Sequence, residues 1–305
     1  MINISVCIIT FNRKEYLERA IRSAQHQLED NDEIVIQDNC STDGTNEMIK
    51  RYTDVNTKIK YFRNESNIGP TLNLGKVIES ASGEYIYFLT DDDYLLPDGL
   101  KRVRYFFQAS KARIFKTAAF CYNEKSKVGT LECSCKSDVG GEKANIEDAV
   151  AIYNSAHILT GLCMEKKLFV RSVLEENKNN WYPSMLFVGT AGLEVGYLAE
   201  PTNVHTWENV TYWGIDPSQY DELNRGEVAI ILYLLKRKYV TYDHYKQIVF
   251  EHLKLTPHQD NALIIKELEI RDRRKAAKIL RLSKFESRAR EFLDRTKKVV
   301  KNFMA

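Results

Sequence analysis

Six cysteines are spread through the chain without a single CxxC pair, and their spacing traces no disulfide framework. Cys133 and Cys135 form a lone CxC, much less than a zinc site requires. Cys7 falls inside an apolar run, where a thiol packs as a small hydrophobe. This usage argues against a disulfide-stapled secreted scaffold and fits a reducing compartment, so a cytoplasmic location is expected. Long apolar runs are lacking too. The longest helical candidate, Val228 to Leu235, is far short of the roughly 20 residues that span a bilayer. Met1 leads straight into the strand-like Ile4–Thr10, with no charged segment or long apolar core of a signal peptide. There is no GxGxxG after the first strand, which argues against a dinucleotide-dependent oxidoreductase. No internal repeat is apparent. Charge of one sign is also scarce: the net charge is +2, and no nucleic-acid partner is expected. That sum hides an asymmetry. From Arg271 to Ala305 there are 13 Lys and Arg against 4 Asp and Glu, a net +9 that leaves −7 for the rest of the chain. Such a basic tail suits a localised anionic partner.

What is present is ordinary for a globular protein, 44% apolar and 28% charged, which excludes wholesale disorder. Strand and helix patterns alternate through the first hundred residues. Strands are predicted at Ile4–Ile9, Glu33–Gln37, near Ile59–Phe62 and at Tyr85–Leu89. Between them lie a helix carrying Leu17, Ala20, Ile21, Ala24 and Leu28 at helical spacing, a turn and helix start at Ser41–Gly44, and a helix over about Gly69–Ser80. Alternating βα units predict an α/β fold with an open, mostly parallel sheet flanked by helices. Further strands are expected near Arg113–Cys121 and Ile158–Met164, a long loop over Lys125–Lys143, a helix over Met185–Gly196 and extended chain over Tyr197–Trp207. From about Asp221 the pattern is helical to the end. The expected domains are therefore 1–220 and a helical region, 221–305.

Three polar clusters fall at the carboxyl ends of predicted parallel strands: Thr10-Phe11-Asn12-Arg13, Asp38-Asn39-Cys40-Ser41 and Asp91-Asp92-Asp93. Topology brings such ends to one crevice, where open α/β sheets bind ligands. Three adjacent carboxylates repel one another unless a cation relieves them, and a divalent metal on a diphosphate is the economical partner. Phe11 offers an apolar face to a base. Asp38 either accepts from a base N–H or caps a turn. Asn67, Gly69 and Asn73 lie where backbone N–H groups would face a phosphate at a helix start, or they shape the turn.

The strings SVCIITFNRKEYLERAIRS, IVIQDNCSTDGT, NIGPTLNLG and GEYIYFLTDDDYLLPDGL, in that order, resemble family 2 glycosyltransferases of the GT-A fold. The resemblance covers residues 3 to 105 and fades beyond. It implies a nucleotide-binding half, 1–105, and an acceptor half, 106–220. It implies a nucleotide-sugar donor, a saccharide or lipid-linked glycan acceptor, and hexosyl or deoxyhexosyl transfer in bacterial surface-polysaccharide assembly of the O-antigen kind. The family's nucleotide-binding role carries to Thr10, Phe11 and Asp38; Asn12, Arg13, Asn67, Gly69, Asn73 and Asp91 are expected beside them at the nucleotide. Counted back from Pro97, Asp92 matches the aspartate that holds Mn2+ or Mg2+, with Asp93 beside it. Thr90 stands where many members carry the first aspartate, so the motif reads TDDD.

Many members place a Glu-Asp pair at the opening of a late helix, where it deprotonates the acceptor hydroxyl. Counted back from Gly196, that position holds Ser184-Met185. Three readings stand: a base from elsewhere, with Asp216, His205 and Glu208 as candidates; a retaining route; or no catalysis. Trp181-Tyr182-Pro183 and Tyr212-Trp213 suit an acceptor platform or core packing. The basic tail carries Leu282, Phe285, Ala289, Phe292, Thr296, Val299 and Phe303 at helical spacing, which fits an interfacial helix on the inner membrane face or a docking or homo-oligomer helix. The rivals are a sugar nucleotidylyltransferase, which expects a Gly-rich loop after the first strand, and a non-catalytic scaffold in a membrane-associated assembly.

Overall fold

The computed structural model describes residues 2–140, 143–207, 220–255 and 261–281. The chain divides into two units, Met1–Gly226 and Glu227–Ala305. In the first unit β1 (Ile4–Thr10), α1 (Lys14–Gln25), β2 (Glu33–Asp38), α2 (Thr45–Thr53), β3 (Ile59–Arg63), α3 (Pro70–Ser80) and β4 (Tyr85–Phe88) alternate as the apolar periodicity requires. Every residue of β1 and β2 is buried, as expected of parallel strands covered on both faces. Helix α1 turns Leu17, Ala20, Ile21 and Ala24 into the same core. Pro70 starts α3, where its missing N–H costs nothing.

The chain continues through β5 (Tyr94–Leu95), α4 (Gly99–Ala109), β6 (Ile114–Asn123), β7 (Val128–Glu132), α5 (Ile146–Ser155), β8 (Leu162–Glu165), α6 (Arg171–Glu176), α7 (Pro183–Ala191) and β9 (Gly196–Trp207). The strands form one sheet in the order β3-β2-β1-β4-β8-β6-β9-β5, with β7 added on β6. The ladders β3-β2-β1-β4 are parallel; β8 runs antiparallel to β4 and β6, and β9 parallel to β6. The parallel character is thus concentrated in the first hundred residues. The expected loop over Lys125–Lys143 contains β7, whose five residues are mostly exposed and show no alternation of apolar and polar types. The strand expected from Ile158 begins only at Leu162, after a turn at Thr160-Gly161.

In the second unit α9 (Tyr242–Leu255), α10 (Asn261–Lys266) and helical residues 270–281 follow α8 (Tyr220–Lys236), which crosses the division. Ile230, Leu234, Tyr245, Ile248, Val249 and Leu253 are buried there. The Tyr245 hydroxyl donates to the Ile264 carbonyl at 2.9 Å. No helix among the described residues is long and apolar enough to cross a membrane. The amphipathic positions Leu282 to Phe303 lie outside the described residues.

Candidate active site

Strand order reverses at β1, which pairs β2 on one side and β4 on the other. This is the switch point at which a parallel sheet opens a crevice. The register aligns Thr10 with Asp38, and Asp91–Asp93 follow β4 beside them. The Thr10 hydroxyl donates to Asp91 Oδ2 at 2.8 Å. Arg13 Nη1 donates to Asp91 Oδ1 at 3.0 Å and to Asp92 Oδ2 at 3.2 Å. One guanidinium therefore answers two of the three aspartates.

The third is held differently. Asp93 is fully buried; it accepts from the Thr90 hydroxyl at 2.7 Å, the Thr206 N–H at 2.9 Å and His205 Nδ1 at 3.2 Å. The bond from Nδ1 assigns its proton and leaves Nε2 with no partner among the described residues. The side chains of Asp92 and His205 stay 15% and 18% exposed, whereas those of Asp91 and Asp93 are sealed. Sequence adjacency hides this division: alternate side chains of the triplet face the core, and only the central one reaches the crevice.

The charges follow from burial. Desolvation pushes the Asp91 carboxyl up against the pull of Arg13, and the Asp92 charge adds to the rise. Asp92 is raised by burial and by Asp93. Burial also acts on Asp93, but the His205 imidazole and the hydrogen bonds hold this carboxyl below its usual range. His205 is raised in turn: burial works against its charged form, and Asp93 outweighs it. Behind this layer Lys116 is buried and donates to the Thr160 carbonyl, while the Thr160 hydroxyl bonds Thr90. Burial lowers the Lys116 amine to about 8.

Asp38 is fully buried, with Oδ1 accepting from the Ser41 N–H (2.9 Å) and hydroxyl (2.6 Å), and Oδ2 from the Tyr61 hydroxyl (2.6 Å). This is the turn-capping arrangement, extended to a neighbouring strand. Asn12, at φ 55°, accepts from the Thr42 N–H at 2.7 Å and bridges the first two clusters; Phe11 is half-buried beside it. Asn67 accepts from the Gly69 N–H at 2.9 Å, closing a turn whose Gly69 adopts φ 83°, ψ 159°, a region open essentially to glycine alone. Asn73 is buried between Asn64 and the Gln37 carbonyl. These asparagines build the loop.

Sequence reasoning missed Arg19. From α1 it donates to the Asp92 carbonyl, to the Thr206 hydroxyl at 3.3 Å and to Glu124 at 2.6 Å, and lies 5.0 Å over the Tyr94 ring. It also missed Thr160, Thr206 and Lys116. Helix α7 opens at Tyr182-Pro183-Ser184 with no acidic residue in its first turn, and Ser184 and Met185 are buried. Trp181 and Tyr182 are half-buried. Asp216, Glu208, Tyr212 and Trp213 lie outside the described residues.

A model of glycosyl transferase family 2 matches residues 5–162, half of the chain. The chain belongs to that family. Over 100 residues it is 45% identical to the abequosyltransferase RfbV of Salmonella typhimurium, covering 32% of this chain and 30% of that protein. Over 101 residues it is 40% identical to the GalNAc(5)-diNAcBac-PP-undecaprenol beta-1,3-glucosyltransferase of Campylobacter jejuni, covering 33% of each. The chain thus spans about a third of the length of these relatives. A solved structure shares the fold: S. aureus TarS 1-349 in complex with UDP-GlcNAc superposes with a TM-score of 0.67 at 16% identity, covering 90% of this chain and 79% of that one. The family 2 chain has the GT-A fold that its first hundred residues imply.

The geometry permits a test of whether a divalent cation fits. Among the described residues no three His, Cys, Asp or Glu side chains surround one point. The described residues therefore build no cage made wholly of protein groups. Asp92 offers a carboxylate and His205 an Nε2 with no partner among the described residues, each near enough to shift the other's titration. A carboxylate-oriented imidazole is the usual form of a metal-ligating histidine. One or two protein ligands completed by phosphate oxygens and water is the normal coordination of Mg2+ on a nucleotide. The donor set fits a cation that arrives with a diphosphate.

Proposed function

We propose that this family 2 protein transfers a hexosyl or deoxyhexosyl group from a nucleotide-sugar donor to a saccharide or lipid-linked saccharide acceptor, with Mn2+ or Mg2+, in bacterial surface-polysaccharide assembly. The observation that carries this reading is the pair Asp92 and His205, the two open groups at the sheet's switch point, with Asp93 fixing the imidazole from behind. In this reading Asp92 and His205 are the metal ligands. Asp93, first expected as a ligand, becomes the group that orients His205, because its oxygens are already taken. His205 is accordingly not the acceptor base.

A cation at this position supplies a Lewis acid for the negative charge that develops on the departing diphosphate. Arg13 adds positive charge to the same corner while bridging Asp91 and Asp92 and offsetting their repulsion. Phe11 supports the base of the nucleotide. Asp38 acts through Ser41 and Tyr61, which it fixes, and Asn67, Gly69 and Asn73 act through the loop they shape. With His205 turned to the cation, Asp216 and Glu208 are the candidates left for deprotonating the acceptor hydroxyl. The location proposed is cytoplasmic, peripheral to the inner face of the membrane.

The test is release of nucleoside diphosphate from UDP-, GDP-, CDP- and dTDP-sugars. One donor class is expected to turn over with Mn2+, and turnover is lost in Asp92→Ala and His205→Ala and with chelator. A second reading, a non-catalytic scaffold, is favoured by the carboxylate-free opening of α7; binding of one nucleotide without turnover of any of its sugars, with or without an acceptor extract, would select it.

A further inference from the structure

Apart from Phe62 of β3, which is 41% exposed, the well-exposed large apolar strand residues among the described ones cluster on one hairpin. Val128 and Leu131 of β7 are 56% and 54% exposed, and Phe120 of β6 is 39% exposed. The register sets Phe120 opposite Leu131, so these two are neighbours on one face, while Val128, opposite Asn123, lies on the other. The β6–β7 hairpin therefore presents apolar side chains on both faces. An edge strand is ordinarily guarded by charge. Within β7 the only charged residue is Glu132, and it accepts from the Cys121 thiol at 2.8 Å.

The charge lies at the rim and is mainly basic; the exposed Asp138 beyond it accepts from the Ala199 N–H at 2.8 Å. Lys125 and Lys127 are exposed at the turn, and Lys136 is exposed just beyond β7. The acidic residue at the turn, Glu124, is engaged by Arg19 at 2.6 Å. Exposed aliphatic and aromatic groups bordered by exposed lysines form the pattern of an element that inserts at a headgroup boundary and draws anionic lipid. A free edge strand that merely needed solubility would carry its charge along the strand instead.

The hairpin also has a defined place relative to the site. Cys121 pairs with His205 and Asn123 with Trp207. Glu124 is linked through Arg19 to the carbonyl of Asp92. We propose that the β6–β7 hairpin docks the protein on an anionic bilayer surface, with Phe120, Val128 and Leu131 at the acyl boundary and Lys125, Lys127 and Lys136 among the headgroups. The docking stands on the hairpin alone. Its consequence, that a lipid-linked acceptor meets the edge of the site, rests on the function proposed above.

The experiment uses the full chain and vesicles of phosphatidylglycerol with phosphatidylcholine, against phosphatidylcholine alone. Wild type is expected to sediment with the anionic vesicles only. Binding is expected to fall about tenfold or more in Val128→Ser/Leu131→Ser and in Lys125→Glu/Lys127→Glu. Because the basic C-terminal segment is a rival binder, Leu131→Trp gives a positional readout. Its added fluorescence is expected to be quenched by bromine-labelled acyl chains, while that of Val170→Trp, also at an exposed apolar position (52%), is not. Unchanged thermal melting and nucleotide binding of each variant show that the fold and the donor site are intact, so failure here is distinct from failure of the proposed function. Three results would overturn the docking: no binding to anionic vesicles, binding with Leu131→Trp unquenched and the serine variant unaffected, or a wild-type dimer in sedimentation that the serine variant abolishes, which assigns the hairpin to a second copy.

Discussion

Asp92 and Asp93 are adjacent and chemically identical, and their surroundings separate their roles. The Asp93 oxygens accept from Thr90, Thr206 and His205 in a sealed position, so Asp93→Ala leaves buried partners unanswered and is expected to cost about 3 kcal/mol of stability. Asp92→Ala removes a repelling charge from a half-open position. It is expected to leave the melting temperature within a degree or two of wild type, by the size scaling of small free-energy changes, and to abolish the added stabilisation by metal and nucleotide. Thermal melting with and without both ligands separates the two. Equal loss of apo stability in the two variants would contradict the division of roles. The triplet itself was legible in the sequence; which aspartate faces the crevice was not, because that depends on how the turn after β4 meets Thr160 and Thr206, 70 and 113 residues away.

Elements bring these residues together with very different degrees of sequence signal. Strands β1 to β4 and helices α1 to α3 were legible because continuous apolar runs and helical stripes record burial directly. Strands β5 and β7 were not: one has two residues, and the other is an exposed edge with no buried face to leave a pattern. Arg19 is the clearest case of an illegible contact. It sits beside the buried stripe of α1, and its partners lie 73, 105 and 187 residues downstream. It joins α1, the aspartate turn, the end of β9 and the root of the hairpin. Arg19→Ala is expected to weaken metal-dependent nucleotide binding about tenfold, as loss of charge-assisted bonds at this turn would do. A cycle with Glu124→Gln is expected to show about 1 kcal/mol of coupling in that binding energy. Titration calorimetry of the four proteins checks it, and strict additivity would show that the hairpin and the aspartate turn are independent.

At the scale of the whole molecule, acid stability is expected to be set in part by the helical unit. His244 is buried with neither ring nitrogen hydrogen-bonded among the described residues, and burial lowers its pKa from 6.5 to about 4. The fold thus favours the neutral ring. The stability this provides is complete above the unfolded value of 6.5 and is lost as pH falls from there toward 4, where the unfolded chain takes up the proton first. The shift corresponds to about 3 kcal/mol across that window. Urea melts of His244→Leu at several pH values are expected to show a flatter acid limb; an unchanged limb would place the acid sensitivity elsewhere. In the other unit, the switch point of the sheet is proposed to hold a nucleoside diphosphate through a cation on Asp92 and His205. The most direct test of this is a thermal-shift panel of UDP, GDP, CDP and dTDP, each with and without Mn2+, on wild type, Asp92→Ala and His205→Ala. A ligand at a hundred times its dissociation constant adds about 2.7 kcal/mol, a shift of several degrees. One nucleotide stabilising wild type only with Mn2+, and neither variant, is the predicted result. A shift that needs no metal, or that survives in both variants, would contradict the account.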